Sequence, residues 1–118
     1  MANTFKLKTK KNVGVTTSPL YVVPSSTTTV VIGITASNIS GNNINVGIGI
    51  TRAAADDVHL MKNIPIPQGS SFEFMQGNKI VLETTDTITA KSDVNNSLDV
   101  ALTIMEITYW HSLRYLDL

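Results

Sequence analysis

The chain has 118 residues, 42% hydrophobic and 15% charged, and its nine basic and nine acidic residues give a formal net charge of zero. This length predicts one domain with one core, and the ordinary apolar fraction excludes an intrinsically disordered chain. No stretch approaches the ~20 apolar residues of a membrane-spanning helix, and no apolar segment of a secretory signal follows residues 1–6, so we expect no membrane partner. The absence of cysteine excludes disulfides and cysteine-ligated zinc.

The charge is balanced overall but not along the chain. Five basic residues precede the first acid, Asp56, whereas nine acids and only four bases follow from there onward. Strands from the two halves could interleave, so that the charges pair across a sheet. Alternatively, a basic N-terminal arm could meet an acidic surface of a neighbouring subunit. The weakness of exposed ion pairs favours the first interpretation, and zero net charge gives no basis for specific nucleic-acid binding.

In chain order, the first half of the sequence predicts three strands and, between two prolines, an edge or a connection. Phe5 and Leu7 alternate with lysines, and residues 20–23 lie between two prolines. Residues 28–36 are nearly continuous in apolar and β-branched types, which is typical of a strand covered on both faces. Residues 44–50 alternate strictly between apolar and small or polar types, which predicts a strand with one buried face.

The second half continues the period of two in five further segments, separated by turn-forming residues: 58–60, 72–74, 80–82, 88–90 and 98–104. Pro65 and Pro67 predict an extended link between two sheets, because proline cannot donate to a strand ladder. Short strands with regular turns predict an all-β, antiparallel two-layer β-sandwich, either Ig-like or jelly-roll-like. We expect three regions: residues 1–12 as a basic N-terminal arm or edge strand, 13–108 as the sandwich, and 109–118 as an aromatic, apolar C-terminal tail.

Residues that could carry chemistry are few. His59 and His111 are the only histidines, and neither has further ligands at metal-binding spacing. Asp56 and Asp57 lack the alternating acids and the glycine of a calcium loop, so a turn is the better interpretation. No histidine is placed to activate a hydroxyl as a nucleophile. We therefore expect neither an enzyme nor a metal or cofactor site.

Three glycines, at positions 33, 47 and 49, lie within predicted strands and indicate a bulge or a close backbone approach. They do not precede a helix, so they do not predict a phosphate-binding loop.

Two segments predict contact with other proteins. The first is the basic start of the chain, although lysines on an edge strand also serve to discourage unwanted pairing. The second is the tail, which either packs on its own domain or docks on a partner, and which holds residue types that dominate interface energies. The candidate partner-binding residues are Lys6, Lys8, Lys10, Lys11, Tyr109, Trp110, Arg114, Tyr115, Leu116 and Leu118.

Several segments resemble small virion structural proteins of tailed phages, especially those of marine and cyanobacterial hosts. The similarity covers roughly residues 20–107 and leaves out the basic start and the tail. It lies in segments predicted as strands and turns. The segments that carry it are residues 21–24, 30–38, 64–71, 79–83 with Asp86 and Thr87, and 105–107.

The resemblance implies a non-enzymatic sandwich that is incorporated into a virion in many copies. We expect a capsid decoration or cement protein that binds neighbouring coat subunits, such as the major capsid protein. The alternatives are a neck, collar or tail adaptor subunit and, from a different class, a carbohydrate-binding sandwich for host attachment. An exposed edge containing Phe5 and an apolar tail also favour a homo-oligomer, of undetermined subunit count.

Overall fold

In the computed structural model of the chain, the described residues are 2–53, 56–75 and 79–108. They form strands connected by turns and contain no helix. The strands are β1 (Ala2–Val13), β2 (Ser18–Val22), β3 (Thr27–Asn38), β4 (Ile44–Thr51), β5 (Val58–Ile66), β6 (Ser71–Glu73), β7 (Ile80–Leu82), β8 (Thr87–Ser92) and β9 (Leu98–Thr108).

The strands form two antiparallel sheets. The first sheet has the order β1-β9-β3-β6, and β7 pairs with another part of the same edge of β3. The second sheet has the order β2-β8-β4-β5. The predicted all-β antiparallel sandwich is therefore confirmed.

The core lies between the sheets and follows the predicted alternation. On β4, residues Ile44, Val46 and Ile48 are at most 1% exposed, and the outward positions between them are not buried. Side chains of β9 bury the same way, and this set is Leu98, Val100, Leu102 and Ile104. Strict alternation arises because successive side chains of a strand point to opposite faces.

Strand β3 differs from its prediction in one respect. Its inner positions, such as Val31 and Ile34, are fully buried, but its outer positions are only half-buried. The expectation that this strand is covered on both faces is therefore wrong for the described residues. β3 is nearly continuous in apolar residues because it is central in its sheet, not because a second layer covers its outer face.

The prolines within strands lie in edge strands, where one side of the backbone needs no N–H donor for strand pairing. Pro19 is in β2 and Pro65 is in β5, and both are edge strands of the second sheet. Pro65 and Ile66 pair with β4, so the expected link is shorter than predicted and begins at Pro67. From there the chain crosses to β6 in the first sheet.

Close backbone approach explains the glycine at position 49. The register of β5 against β4 shifts twice, and Asn63 of β5 has a φ of 53°. A Cβ on Gly49 would lie 3.1 Å from the carbonyl oxygen of Val58. Gly33 likewise follows a register shift, between β3 and β9. The interpretation of these strand glycines is confirmed at both positions.

The structure describes the N-terminal strand but not the predicted C-terminal tail. Of residues 1–12, predicted as a basic arm or edge strand, residues 2–12 lie in β1 at one edge of the first sheet. The tail, residues 109–118, lies outside the described residues. Among the described residues, no helix is long and apolar enough to cross a membrane.

Ile48 offers a test of the core. An Ile48→Asp substitution places a carboxylate at a position with 0% exposure in a central strand. A buried, unpaired charge costs many kcal/mol, so we expect this variant not to fold. Circular dichroism and thermal unfolding measure the loss. Lys62→Asp, which changes charge at an exposed position of the neighbouring strand β5, is the control and should melt cooperatively. A cooperatively melting Ile48→Asp protein would contradict the placement of β4.

Candidate functional site

The two faces of β1 are used in an unexpected way. Phe5 and Leu7 are 69% and 63% exposed, so the apolar side of the strand points away from the sandwich. Lys6 and Lys8, on the opposite side, lie toward the second sheet, where Lys6 reaches a buried carboxylate. The lysines therefore contribute to the packing of the two sheets.

The carboxylate is Glu106 of β9, and it connects both sheets. Its Oε1 lies 2.8 Å from Lys6 Nζ, and its Oε2 accepts the hydroxyl proton of Tyr21 from β2. The Tyr21 oxygen is 2.8 Å from Thr29 Oγ1 on β3. Because the tyrosine proton goes to Glu106, the Thr29 hydroxyl is the donor in that bond. Glu106 of β9 and Thr29 of β3, both in the first sheet, thus bond to Tyr21 of the second sheet, and Lys6 of β1 bonds to Glu106.

The same contacts shift two pKa values in opposite directions. Burial alone raises the pKa of Glu106, but the hydrogen bonds from Lys6 and Tyr21 outweigh it, so the net shift is downward. For Tyr21, burial and the hydrogen bond to the Glu106 carboxylate raise the pKa of the hydroxyl. Glu106 is therefore held as a carboxylate and Tyr21 as a neutral donor.

The other candidate lysines have different surroundings. Lys8 Nζ lies 5.8 Å from the centroid of the Tyr21 ring, within range of a cation–π contact. Lys10 and Lys11 are exposed and border a depression on the outer face of the first sheet that also includes Asp99. Lys10 and Lys11 thus face solvent beside Asp99, whereas the partly exposed Lys6 is paired with Glu106. Their part in partner binding stays a prediction.

The tail candidates, Tyr109, Trp110, Arg114, Tyr115, Leu116 and Leu118, all lie outside the described residues, as does His111. Their proposed role in partner binding is untested.

A second polar cluster lies beside the end of β2, where the backbone N–H of Val23 donates to the carbonyl oxygen of Asp86. Arg52, just after β4, donates through Nε to both oxygens of Asp86, at 3.1 and 3.2 Å. Its NH2 group lies 2.8 Å from Glu83 Oε1. Asp86 is buried and also accepts the backbone N–H of Glu83, so it organises the turn from β7 to β8. The chain passes from the first sheet to the second at this turn.

These ion pairs bear on the uneven charge distribution. Within the described residues, each ion pair joins a cation of the first half, Lys6 or Arg52, to an acid of the second half. This supports the interpretation that charges of interleaved strands pair within the chain. Both buried acids gain two kinds of donor, which is what a buried carboxylate requires.

The exposed edge expected at Phe5 is part of an apolar row that crosses the outer face of the first sheet, and the rest of this row was not predicted from the sequence. Phe5 is directly opposite Met105, Met105 is opposite Val30, and Val30 is opposite Val81. Directly opposite residues of antiparallel strands point to the same face, so these four side chains are adjacent. Val81 is 61% exposed. The alternation of Phe5 and Leu7 with lysines was the available signal, but the sequence does not state which side faces outward.

The outer face of the second sheet is mostly polar, although Val22 on its edge strand β2 is 53% exposed. A depression of about 430 Å³ lies over Gly47 and Gly49, and His59, Lys62, Thr89 and Lys91 are among its lining residues. No phenylalanine, tyrosine or tryptophan side chain lines it. Sugar-binding sites commonly use an aromatic surface for stacking, so this depression gives no support to the carbohydrate-binding alternative. Across residues 2–53, 56–75 and 79–108, no group of three or more histidine, aspartate or glutamate side chains is placed to hold a metal ion.

Comparison with known proteins identifies the fold. The sequence matches no protein-family profile, and no curated protein matches it. Among solved structures, the chain is similar to one from the disulfide-linked pili of Bacillus endospore appendages, with a TM-score of 0.56 and 14% identity over 91% of this chain and 87% of that one. A chain of the T13 IBDV viral particle gives a TM-score of 0.39 and 11% identity over 90% of this chain and 31% of that one. At these identities, the first similarity shows a shared fold alone.

Acid titration tests the role of Glu106. Because its pKa is lowered in the folded state, its stabilisation is present above the unfolded carboxyl pKa of about 4.3 and is lost as the pH falls through the folded pKa. Glu106→Gln should cost roughly 1–3 kcal/mol at neutral pH and flatten the decline below about pH 4.3. Urea unfolding across a pH series measures both. The control, Asp56→Asn at an exposed position, should keep the wild-type profile. Equal acid profiles for wild type and Glu106→Gln would contradict the assignment.

Alkaline titration tests Tyr21. Its raised pKa means that its stabilisation is complete below the unfolded tyrosine pKa of about 10 and is lost as the pH rises toward the folded pKa. The tyrosinate absorbance missing from Tyr21→Phe should therefore appear in wild type only above about pH 10, together with unfolding. If that absorbance appears at lower pH in the folded protein, the Tyr21–Glu106 contact is absent.

Proposed function

We propose that this protein is a non-enzymatic structural subunit of a virion, acting as a capsid decoration or cement protein. The sequence resemblance to virion proteins of tailed phages supports this, and residues 20–107 make up most of β2 through to β9. The fold it shares with a chain of Bacillus endospore appendages is consistent with a role as a building block, since pili are multi-subunit assemblies.

The observation that carries the proposal is that the buried carboxylates of Glu106 and Asp86 are bonded within the chain. Glu106 and Asp86 are each bonded to a cation and to a further donor within the chain. Acid–base catalysis requires such groups to be open to a substrate. Here they fasten the sheets and the turn between them, which suits a rigid module that carries its contacts on its surface.

Attachment in this proposal is non-covalent and multivalent. Lys10 and Lys11 are exposed at one end of β1, and the tail supplies aromatic and apolar residues for a neighbouring coat subunit. The 118 residues contain no cysteine, so the disulfide linkage described for the appendages has no counterpart in them. Weak contacts of many copies would then add up to reinforce the shell.

Particle composition and structure test this assignment. We expect purified particles to contain the protein at a copy number comparable to that of the coat protein, with its density on the shell. A low copy number with density at the neck or tail would instead support the adaptor alternative. Absence of the protein from the particles would overturn the virion proposal.

Variants test the attachment residues. Deletion of residues 109–118 should abolish loading onto particles that lack the protein, while the thermal unfolding transition of the sandwich remains. Lys10→Ala with Lys11→Ala should weaken loading, and most strongly at low salt, because surface charge contacts are screened by ions. The matched control replaces Lys62 and Lys91, exposed lysines of the second sheet, with alanine and should load normally. Normal loading of the tail deletion would show that the tail is not the anchor.

A further inference from the structure

The outer face of the first sheet combines exposed apolar side chains with little charge. Around the apolar row of Phe5, Met105, Val30 and Val81, further outward positions on β1 and β9 are Leu7, Thr103 and Ile107. None of these side chains is charged. The charged residues of this face, Glu73 and Asp99 with the bordering Lys10 and Lys11, lie toward its other end, and each of the two acids accepts a hydrogen bond from within the chain.

The exposure of Phe5 and Leu7 is fixed by the interior of the protein. Sliding β1 by one residue would exchange its faces, placing the apolar side chains inward and the lysines in solvent. That exchange would remove Lys6 from the buried carboxylate of Glu106 and leave a buried charge without its cation. The register that satisfies Glu106 therefore requires an apolar outer surface on β1.

The outer face of the second sheet shows what a solvated surface of this protein looks like. Exposed charged or titratable side chains are spread across it: His59, Lys62, Lys91 and Asp93. The contrast between the two faces indicates that the apolar row is covered in the working form of the protein. Contiguous exposed apolar surface of this kind typically marks an interaction site.

We propose that the outer face of the first sheet is a homotypic interface, in which the apolar row packs against the same row of a second copy. A face that carries both apolar and hydroxyl side chains but little charge is complementary to itself, as an isologous dimer requires. The three long strands, about 4.8 Å apart and about 11 residues long, together with the three-residue strands β6 and β7 give a face of roughly 600 Å². This lies at the lower end of the ~600–1,000 Å² per partner of specific interfaces.

This interface does not depend on the virion proposal, since it forms in solution between copies of the chain. In a particle it would leave Lys62 and Lys91 of the second sheet facing outward on both copies.

Full-length variants test the interface by sedimentation equilibrium over a range of concentrations. Wild type should be dimeric, and Phe5→Lys combined with Val81→Lys should weaken dimerisation at least about tenfold, because paired rows would then bury like charges. Both positions are more than half exposed in the single chain, so the variant should still fold and unfold in one cooperative thermal transition. Val81→Lys alone, on a strand distant from β1, should give the same direction of change. The matched control is Val22→Lys, at an exposed valine of the second sheet, and it should remain dimeric.

Other occupants of the row give different results. A wild-type monomer whose Trp110 emission changes on Phe5→Lys would show that the tail covers the row, because Trp110 is the only tryptophan. Trp110→Ala with Leu116→Ala should leave the dimer intact, and its dissociation would show that the tail makes the contact. Either result, or equal dimerisation of wild type and the Phe5 and Val81 variants, overturns the proposal. Loading onto particles is measured separately, so failure of one proposal is distinguishable from failure of the other.

Discussion

The buried carboxylate of Glu106 is the constraint on which the arrangement of the two sheets depends. It lies on β9, the strand that pairs with both β1 and β3, and it binds Lys6 and the hydroxyl of Tyr21 from the other sheet. A charge in this position is costly unless all of its partners are present. The register of β1 and the position of β2 are therefore coupled, because a change in either one would leave the buried carboxylate of Glu106 without one of its partners.

The local sequence pattern was sufficient to predict the central strands but not the cluster of polar side chains around Glu106. The alternation in β4 and β9 predicted their buried faces, because each of these strands has one face in a single shared core. Glu106 could not be predicted in the same way, because its partner Tyr21 lies 85 positions away in the sequence. Only the folded arrangement brings Lys6, Tyr21 and Glu106 together, and only then does the outward direction of Phe5 follow.

The basic and acidic halves of the chain are related by the same arrangement. Lys6 and Arg52 from the first half bind acids from the second, at two separate points of the sandwich. The uneven distribution of charge along the chain therefore partly reflects how strands from the two halves interleave and pair their charges. Of the candidate lysines, Lys10 and Lys11 are left to face solvent, while the aromatic tail lies outside the described residues.

The short strands β6 and β7 limit the addition of further strands to the first sheet. Each has three residues, and between them the β3 edge is closed by the backbone N–H of Phe74, which donates to the carbonyl of Ile34. An incoming strand finds no continuous template there, whereas an unprotected edge invites pairing. Edge-to-edge pairing of this sheet with a neighbouring molecule is thereby disfavoured on its β3 side, and β1 is the edge left open to it.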